Sequence, residues 1–207
     1  MYRKRSHLAV LATAVTAAVL PLSAALSAPG AVADTPSPSP SVSSSVPSGD
    51  KPFGPGCSKL PQSGSGSVKE MASQELATAV SNNPELSTLA DALKKAGLTD
   101  SLNKDQDITV FAPTNTAFNS LGKEQLTKLL ANTGALKKQL TYHVVDKKIT
   151  PDQLSHGTFT TKKGSTLTTS GSGTSFKVND TASITCGNIK TTNGTIYVID
   201  GVLTPPH

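Results

Sequence analysis

The chain has no tryptophan, only eight aromatic residues in 207, and no arginine after Arg5. Arginine forks onto phosphates and stacks on bases, so its absence from the body of the chain, with so few rings, excludes the usual equipment for nucleic acid. Histidine is equally scarce: beyond His7 there are only His143, His156 and His207. A hydrolase needs a nucleophile with a base beside it, and no G-x-S-x-G motif occurs. No run of His, Cys or carboxylates has the spacing of metal ligands, so no metal and no cofactor is expected. The sequence therefore argues against an enzyme.

What is present begins with a leader. Arg3, Lys4 and Arg5 precede an apolar run over 8–26, and small residues then lead to Ala31-Val32-Ala33. This is the pattern of a secretory signal over residues 1–33, with cleavage expected between Ala33 and Asp34. Thr13, Thr16, Pro21 and Ser23 interrupt the run and no cysteine follows it to accept a lipid, so stable membrane insertion after cleavage is not expected. Three of the 19 basic residues leave with the leader, so sixteen lysines face 14 acidic residues and the net charge of the rest is about +2. The pairs Lys94-Lys95, Lys137-Lys138, Lys147-Lys148 and Lys162-Lys163 read as a solvated, solubilising face. Residues 34–66 are rich in Pro, Ser and Gly, with almost no apolar periodicity, and read as a disordered tether open to O-linked sugars.

Residues 67–206 are enough for one core and not two. The first half reads helical over 68–80 and 84–96, where Leu86, Leu89, Ala90 and Leu93 recur at three and four and Gly97 closes the pattern. Helical spacing returns over 123–131 and 135–140. Stretches 165–169, 175–178, 183–186 and 195–199 are Thr- and Val-rich, separated by Gly and Asn turns, and read as strands. In 107–121, DITVFAPTNTAFNSL, apolar and polar residues alternate until Pro113 stops the strand, and Thr114 or Asn115 can cap a helix that buries Ala117, Phe118 and Leu121. Helices segregated from strands give an α+β class.

That stretch resembles the first signature block of fasciclin domains. Leu140-Thr141-Tyr142-His143-Val144-Val145 resembles the family's tyrosine-histidine block, and 194–206, GTIYVIDGVLTPP, its C-terminal block. Gly54-Pro55-Gly56-Cys57, Ser81-Asn82-Asn83-Pro84-Glu85-Leu86 and Cys186-Gly187 bring the chain nearer to the small secreted fasciclin antigens of actinobacteria. The resemblance implies a single domain in which a wedge of two β-sheets is flanked by helices. Cys57 and Cys186 are the only cysteines, and in an exported chain pairing is the default. Similarly placed cysteines in related domains strengthen that expectation.

His143, between Tyr142 and Val144, reads as an imidazole satisfied by backbone rather than a base. His156 lies in a turn context and His207 at the end of the sequence. In some animal fasciclin domains, adhesion runs through the tyrosine-histidine block and an Asp-Ile pair. Here the corresponding candidates are Tyr142, His143, Asn188 and Ile189, with Asn in place of the acid. A neutral amide reaches a receptor's metal ion poorly, so integrin-type recognition is not expected. Tyr142 and Ile189 also read as core residues. The resemblance implies a secreted or wall-associated monomer that contacts a cell-surface or matrix protein or glycan. The alternative is a carrier of a small lipophilic ligand, for which few aromatics are left to line a pocket.

Overall fold

The computed structural model describes residues 49–206. The leader, the Ala33–Asp34 junction, the first part of the tether and His207 lie outside the described residues. The helical half comprises α1 (Val68–Met71), α2 (Leu76–Asn82), α3 (Ser87–Lys95) and α4 (Thr99–Lys104). The expected helix over 68–80 is thus two, because a turn from the far end of the chain wedges between them. The Thr192 amide donates to the Gln74 carbonyl at 2.9 Å, and the Leu76 amide donates to Asn193 Oδ1 at 2.8 Å. The helix expected over 84–96 opens as a 3-10 turn, Pro84–Leu86, whose Glu85 amide is capped by the Asn83 side chain. Gly97, at φ 65°, ends α3 in the left-handed conformation that a Cβ would disfavour. Helix α4 has one buried residue, Leu102, too little apolar periodicity for the sequence to signal it.

Strand β1 (Ile108–Pro113) runs into α5 (Asn115–Ser120), followed by α6 (Lys123–Ala131) and α7 (Thr133–Tyr142). Thr114 is the cap, accepting the Ala117 amide on Oγ1 at 3.2 Å. Asn115 instead ties α5 to α3, accepting the Thr88 amide at 2.9 Å and donating to the Pro84 carbonyl at 2.7 Å. The remaining strands are β2 (Val144–Val145), β3 (His156–Thr160), β4 (Thr166–Ser172), β5 (Ser175–Val178), β6 (Ala182–Lys190) and β7 (Gly194–Ile199).

These strands form one seven-stranded sheet in the order β2-β1-β7-β6-β5-β4-β3, where two sheets were expected. The reason is β6. Its first residues pair with β5 and the rest with β7, and its register shifts between Ile184, Cys186 and Ile189 let it bend through the corner instead of ending there. The far edge then curls back until Thr161, just after β3, bridges Val145 of β2. The sheet is nearly closed, with an apolar core on each face. Ile108, Val110 and Ala112 of β1, with Ile196 and Val198 of β7, face the helices. Phe111, Tyr197 and Ile199 face the inside of the curl, with Phe159, Leu167 and Phe176. All six residues of β1 are therefore buried, and its alternation separates two dry faces rather than a dry from a wet one.

The packed chain starts earlier than Ser67. Phe53 is buried, its ring centroid 5.5 Å from Phe176 and 6.3 Å from Tyr197. Phe53 and Gly187 exchange backbone hydrogen bonds at 3.1 and 2.8 Å. Gly187 is required there, since a Cβ would meet the Phe53 ring at 2.6 Å and the Tyr197 ring at 2.8 Å. A 3-10 helix, Pro55–Lys59, follows, and Leu60 enters the helical core. Cys57 and Cys186 are disulfide-bonded, with Cα atoms 4.7 Å apart. This segment is a strap across β6 and not part of a tether. Its Pro/Ser/Gly composition hid two anchoring apolar residues, Phe53 and Leu60, while the cross-link is the one expected from the cysteines.

Candidate functional site

Helix α7 ends by placing Gln139 and His143 one turn apart against the C-terminal tail. His143 Nδ1 donates to the Gln139 carbonyl at 2.8 Å, and Nε2 accepts the Leu203 amide at 3.0 Å. Gln139 Nε2 donates in turn to the Leu203 carbonyl, so both backbone polar groups of Leu203 are held by one helix. An imidazole that donates from one nitrogen and accepts at the other is neutral. Burial, opposed by the Gln139 carbonyl, lowers its pKa from 6.5 to about 4.

As pH falls, unfolded His143 takes a proton before the folded form does, so its contribution is fully present above 6.5 and is lost as pH drops toward 4. The loss is about 3 kcal/mol for a shift of this size. Melting temperatures measured from pH 7.5 to 4 are expected to fall through this window, and His143→Gln, which cannot titrate, loses that part of the slope. An identical slope in the variant would overturn the assignment.

Tyr142 points the other way. Its hydroxyl donates to the Thr166 carbonyl at 3.0 Å and accepts from Asn179 Nδ2 at 2.8 Å. Asn179 sits at φ 50° in the turn between β5 and β6 and accepts the Thr168 amide on Oδ1. The tyrosine-histidine pair is therefore a corner post, one member holding the tail and the other a hairpin.

The contact surface expected at Tyr142, His143, Asn188 and Ile189 is corrected by the structure. Tyr142 and His143 are each 2 % exposed, Asn188 and Ile189 0 %. Asn188 takes φ 59° in the irregular part of β6 and donates from Nδ2 to the Gly49 and Lys51 carbonyls at 2.9 and 3.1 Å, which places it beneath the strap. Ile189 packs in the helical core. All four residues hold chain segments together and none faces solvent.

Sequence reasoning missed a second clasp of the same kind. Asn193, 5 % exposed, accepts the Leu76 amide and donates from Nδ2 to the carbonyls of Leu102 (2.7 Å), Asn103 (3.3 Å) and Asp105 (2.8 Å). One amide thus caps the start of α2 and the end of α4. Asn103 Oδ1 caps the next amide of α2, Ala77, at 2.9 Å. No local pattern announces a cap supplied from 88 to 117 residues away.

The surface that remains is defined by what it lacks. All seven aromatic side chains among the described residues are buried. His156 is exposed at the start of β3. Among the described residues no group of three or more His, Cys, Asp or Glu is placed to hold a metal ion, and no helix is long and apolar enough to cross a membrane. Two concave features stand out. A hollow of about 230 Å³ lies between the strap and α5, lined by Pro55, Lys59, Glu85, Thr114, Val198 and Asp200. A groove of about 790 Å³ runs between α7 and the C-terminal tail, where Lys137, Lys138 and Lys163 face Leu129, Pro205 and Pro206.

The helix-buttressed, curled sheet and its buried polar clasps define a disulfide-bonded α+β domain. The sequence model of the Fasciclin domain matches residues 84–205, and the chain belongs to that family. It is 42% identical to the immunogenic protein MPB70 of Mycobacterium bovis over 161 residues, 74% of this chain and 82% of that one. It is 41% identical to the cell surface glycolipoprotein MPB83 of the same species over 162 residues, 74% of this chain and 72% of that one. Neither relative is named for an enzymatic activity. Among solved structures, a FAS1 domain pair from the insect cell adhesion molecule Fasciclin I matches at 19% identity and TM-score 0.49, over 59% of this chain; the match spans just under half of that structure, 46%.

Proposed function

We propose that this chain is an exported, non-catalytic fasciclin-domain protein that works at the cell surface or in the surrounding matrix by binding. The observation that carries this reading is the internal use of the domain's polar machinery. The hydrogen bonds of His143, Tyr142, Asn188 and Asn193 run to backbone groups or, for Tyr142, also to the Asn179 side chain, and the buried imidazole of His143 is kept neutral without a nucleophile at either nitrogen. What the domain offers outward is shape and charge. The surface location in the name of MPB83 supports the same reading, as does the leader read over residues 1–33. The carrier alternative finds no comparable support. The hollow of about 230 Å³ is smaller than the roughly 300–1,000 Å³ of usual ligand sites, the groove of about 790 Å³ is open and carries three lysines, and no aromatic ring lines either.

The test is binding of the labelled protein, from Asp34 onward, to intact cells and to arrays of matrix proteins and envelope glycans. Saturable binding that excess unlabelled protein abolishes is expected. Uniform background on every surface, with a stoichiometric lipophile retained through purification, would overturn the reading in favour of the carrier.

A further inference from the structure

We infer that the groove between α7 and the C-terminal tail is a binding site for a polyanionic glycan. The inference rests on the surface-binding reading above and names its partner class.

The first support is charge. Residues 121–165 hold eight lysines against three acidic residues, whereas residues 49–120 hold six against eight. The α7 wall of the groove and Lys163 lie within the basic part. Lys137 and Lys138 of α7 and Lys163 line it, and among the described residues no carboxylate side chain does. Two of the lysine pairs read from sequence as a solubilising face therefore contribute to one concave site. Lys162 does not: it turns away to Asp105 at 2.5 Å and Asp146 at 3.2 Å.

The second support is order. Lys163 Nζ donates to the Pro206 carbonyl at 3.2 Å and to Ser165 Oγ at 3.3 Å, with the Tyr142 ring 6.0 Å away. Two of its three N–H groups are occupied, which positions the third and the whole charge for a ligand. The opposite wall, Thr204 to Pro206, follows directly on Leu203, which α7 holds through Gln139 and His143. Both walls are thus fixed by the same helix, so a ligand need not order them on arrival.

The third support is what the surface cannot do. Protein interfaces draw most of their energy from tryptophan, tyrosine and arginine anchors, and none of these is exposed among the described residues. Docking onto a lipid surface uses exposed aromatic and large apolar residues, and neutral sugars are gripped by aromatic rings; among the described residues no Phe, Tyr or Trp ring is exposed. Lysine recognises phosphate, sulfate and carboxylate as a point charge and needs no aromatic help. A linear chain of repeating anionic groups is the partner that a groove of three lysines, with an apolar floor, suits.

The test is titration of the protein with a heparin decasaccharide, a dextran of matched length, and vesicles of phosphatidylglycerol and phosphatidylcholine. We expect heparin to bind, dextran not to bind, and heparin affinity to fall as salt screens the lysines. Lys137→Glu/Lys138→Glu, both exposed, is expected to weaken heparin binding at least about tenfold at unchanged melting temperature, a factor equal to about 1.4 kcal/mol. Lys163→Gln is expected to act in the same direction. Lys94→Glu/Lys95→Glu, on α3, is expected to stay within about twofold, since neither lysine lines the groove. Equal losses in the α3 and groove variants would overturn the site, as would vesicle binding without heparin binding. On intact cells the two levels separate. If wild type and Lys137→Glu/Lys138→Glu bind equally, the groove assignment falls and the surface-binding reading stands; if neither binds any surface, both fall.

Discussion

Cys57→Ser is expected to lower stability by up to roughly 4–5 kcal/mol while the far-ultraviolet circular dichroism keeps its shape. Cys57 and Cys186 are 129 residues apart in sequence, so their bond closes a loop that contains almost the whole described domain. In the chain-entropy model the gain grows slowly with loop length and reaches about 4–5 kcal/mol at this size. For a domain of this length that corresponds to a fall in melting temperature on the order of 10–15 °C. The secondary structure survives because the cross-link joins the strap to β6 without being part of any ladder. Phe53 still has its ring partners and Leu60 its place in the helical core. Amide exchange sharpens the test, since release of the strap exposes the Phe53 and Gly187 amides before those of β1 and β7. Equal melting temperatures for the oxidised protein and the variant would show that the bond contributes nothing.

Asn193→Ala should be nearly as damaging, at roughly 3–5 kcal/mol. It removes the acceptor of the Leu76 amide and the donor to the Leu102 and Asp105 carbonyls, and each buried group left unpaired costs about 1–3 kcal/mol. Asn193→Asp separates this account from a simple loss of packing. The carboxylate keeps the acceptor for Leu76 but presents negative oxygen to carbonyls that need a donor, so at neutral pH it is no better than alanine. Protonation returns one donor. The aspartate variant should therefore gain on the alanine variant as pH falls toward 4, when both are compared by denaturant midpoint. Parallel pH profiles for the two would sink the capping role and leave only a packing defect.

Elements whose signal is local were legible in the sequence. The strand-corner-helix over 107–121 is set by Pro113 and the Thr114 cap, and β5 and β7 lie where their Thr, Val and Ile runs end in Gly and Asn turns. Three features were not legible, each because its cause is distant in the chain. The break between α1 and α2 is made by Thr192 and Asn193. The single sheet follows from a bend in β6 that only its two partners reveal. The strap is fixed by residues 186–188. Site residues divide in the same way. The pairing of Cys57 with Cys186 was visible from composition, and His143 bonded to backbone from its setting. Whether Tyr142 and Ile189 face out or in depends on which face of α7 and which register of β6 meets the core, and a residue's type does not encode that. The lysine pairs were visible as charge but not as a groove, because one wall of the groove is the tail, which returns to α7 from the other end of the domain.

The position of the cross-link also sets how the domain carries a mechanical load. Tension arriving from the N-terminal side of Cys57 passes through the sulfur atoms directly to Cys186 and bypasses the chain between them. The four leading helices, β1 and the whole α5–α7 segment are shielded from the pull, and no applied force can peel them away in turn. Beyond the short strap ahead of Cys57, only the length from Cys186 through β7 to the tail at Pro206 can pay out, and its exit is at Leu203, gripped by Gln139 and His143. A domain tugged between an anchored end and a bound surface would pay out at most about twenty residues beyond Cys186, with all seven helices still inside the covalent loop, whereas the reduced protein would unravel from its first helix.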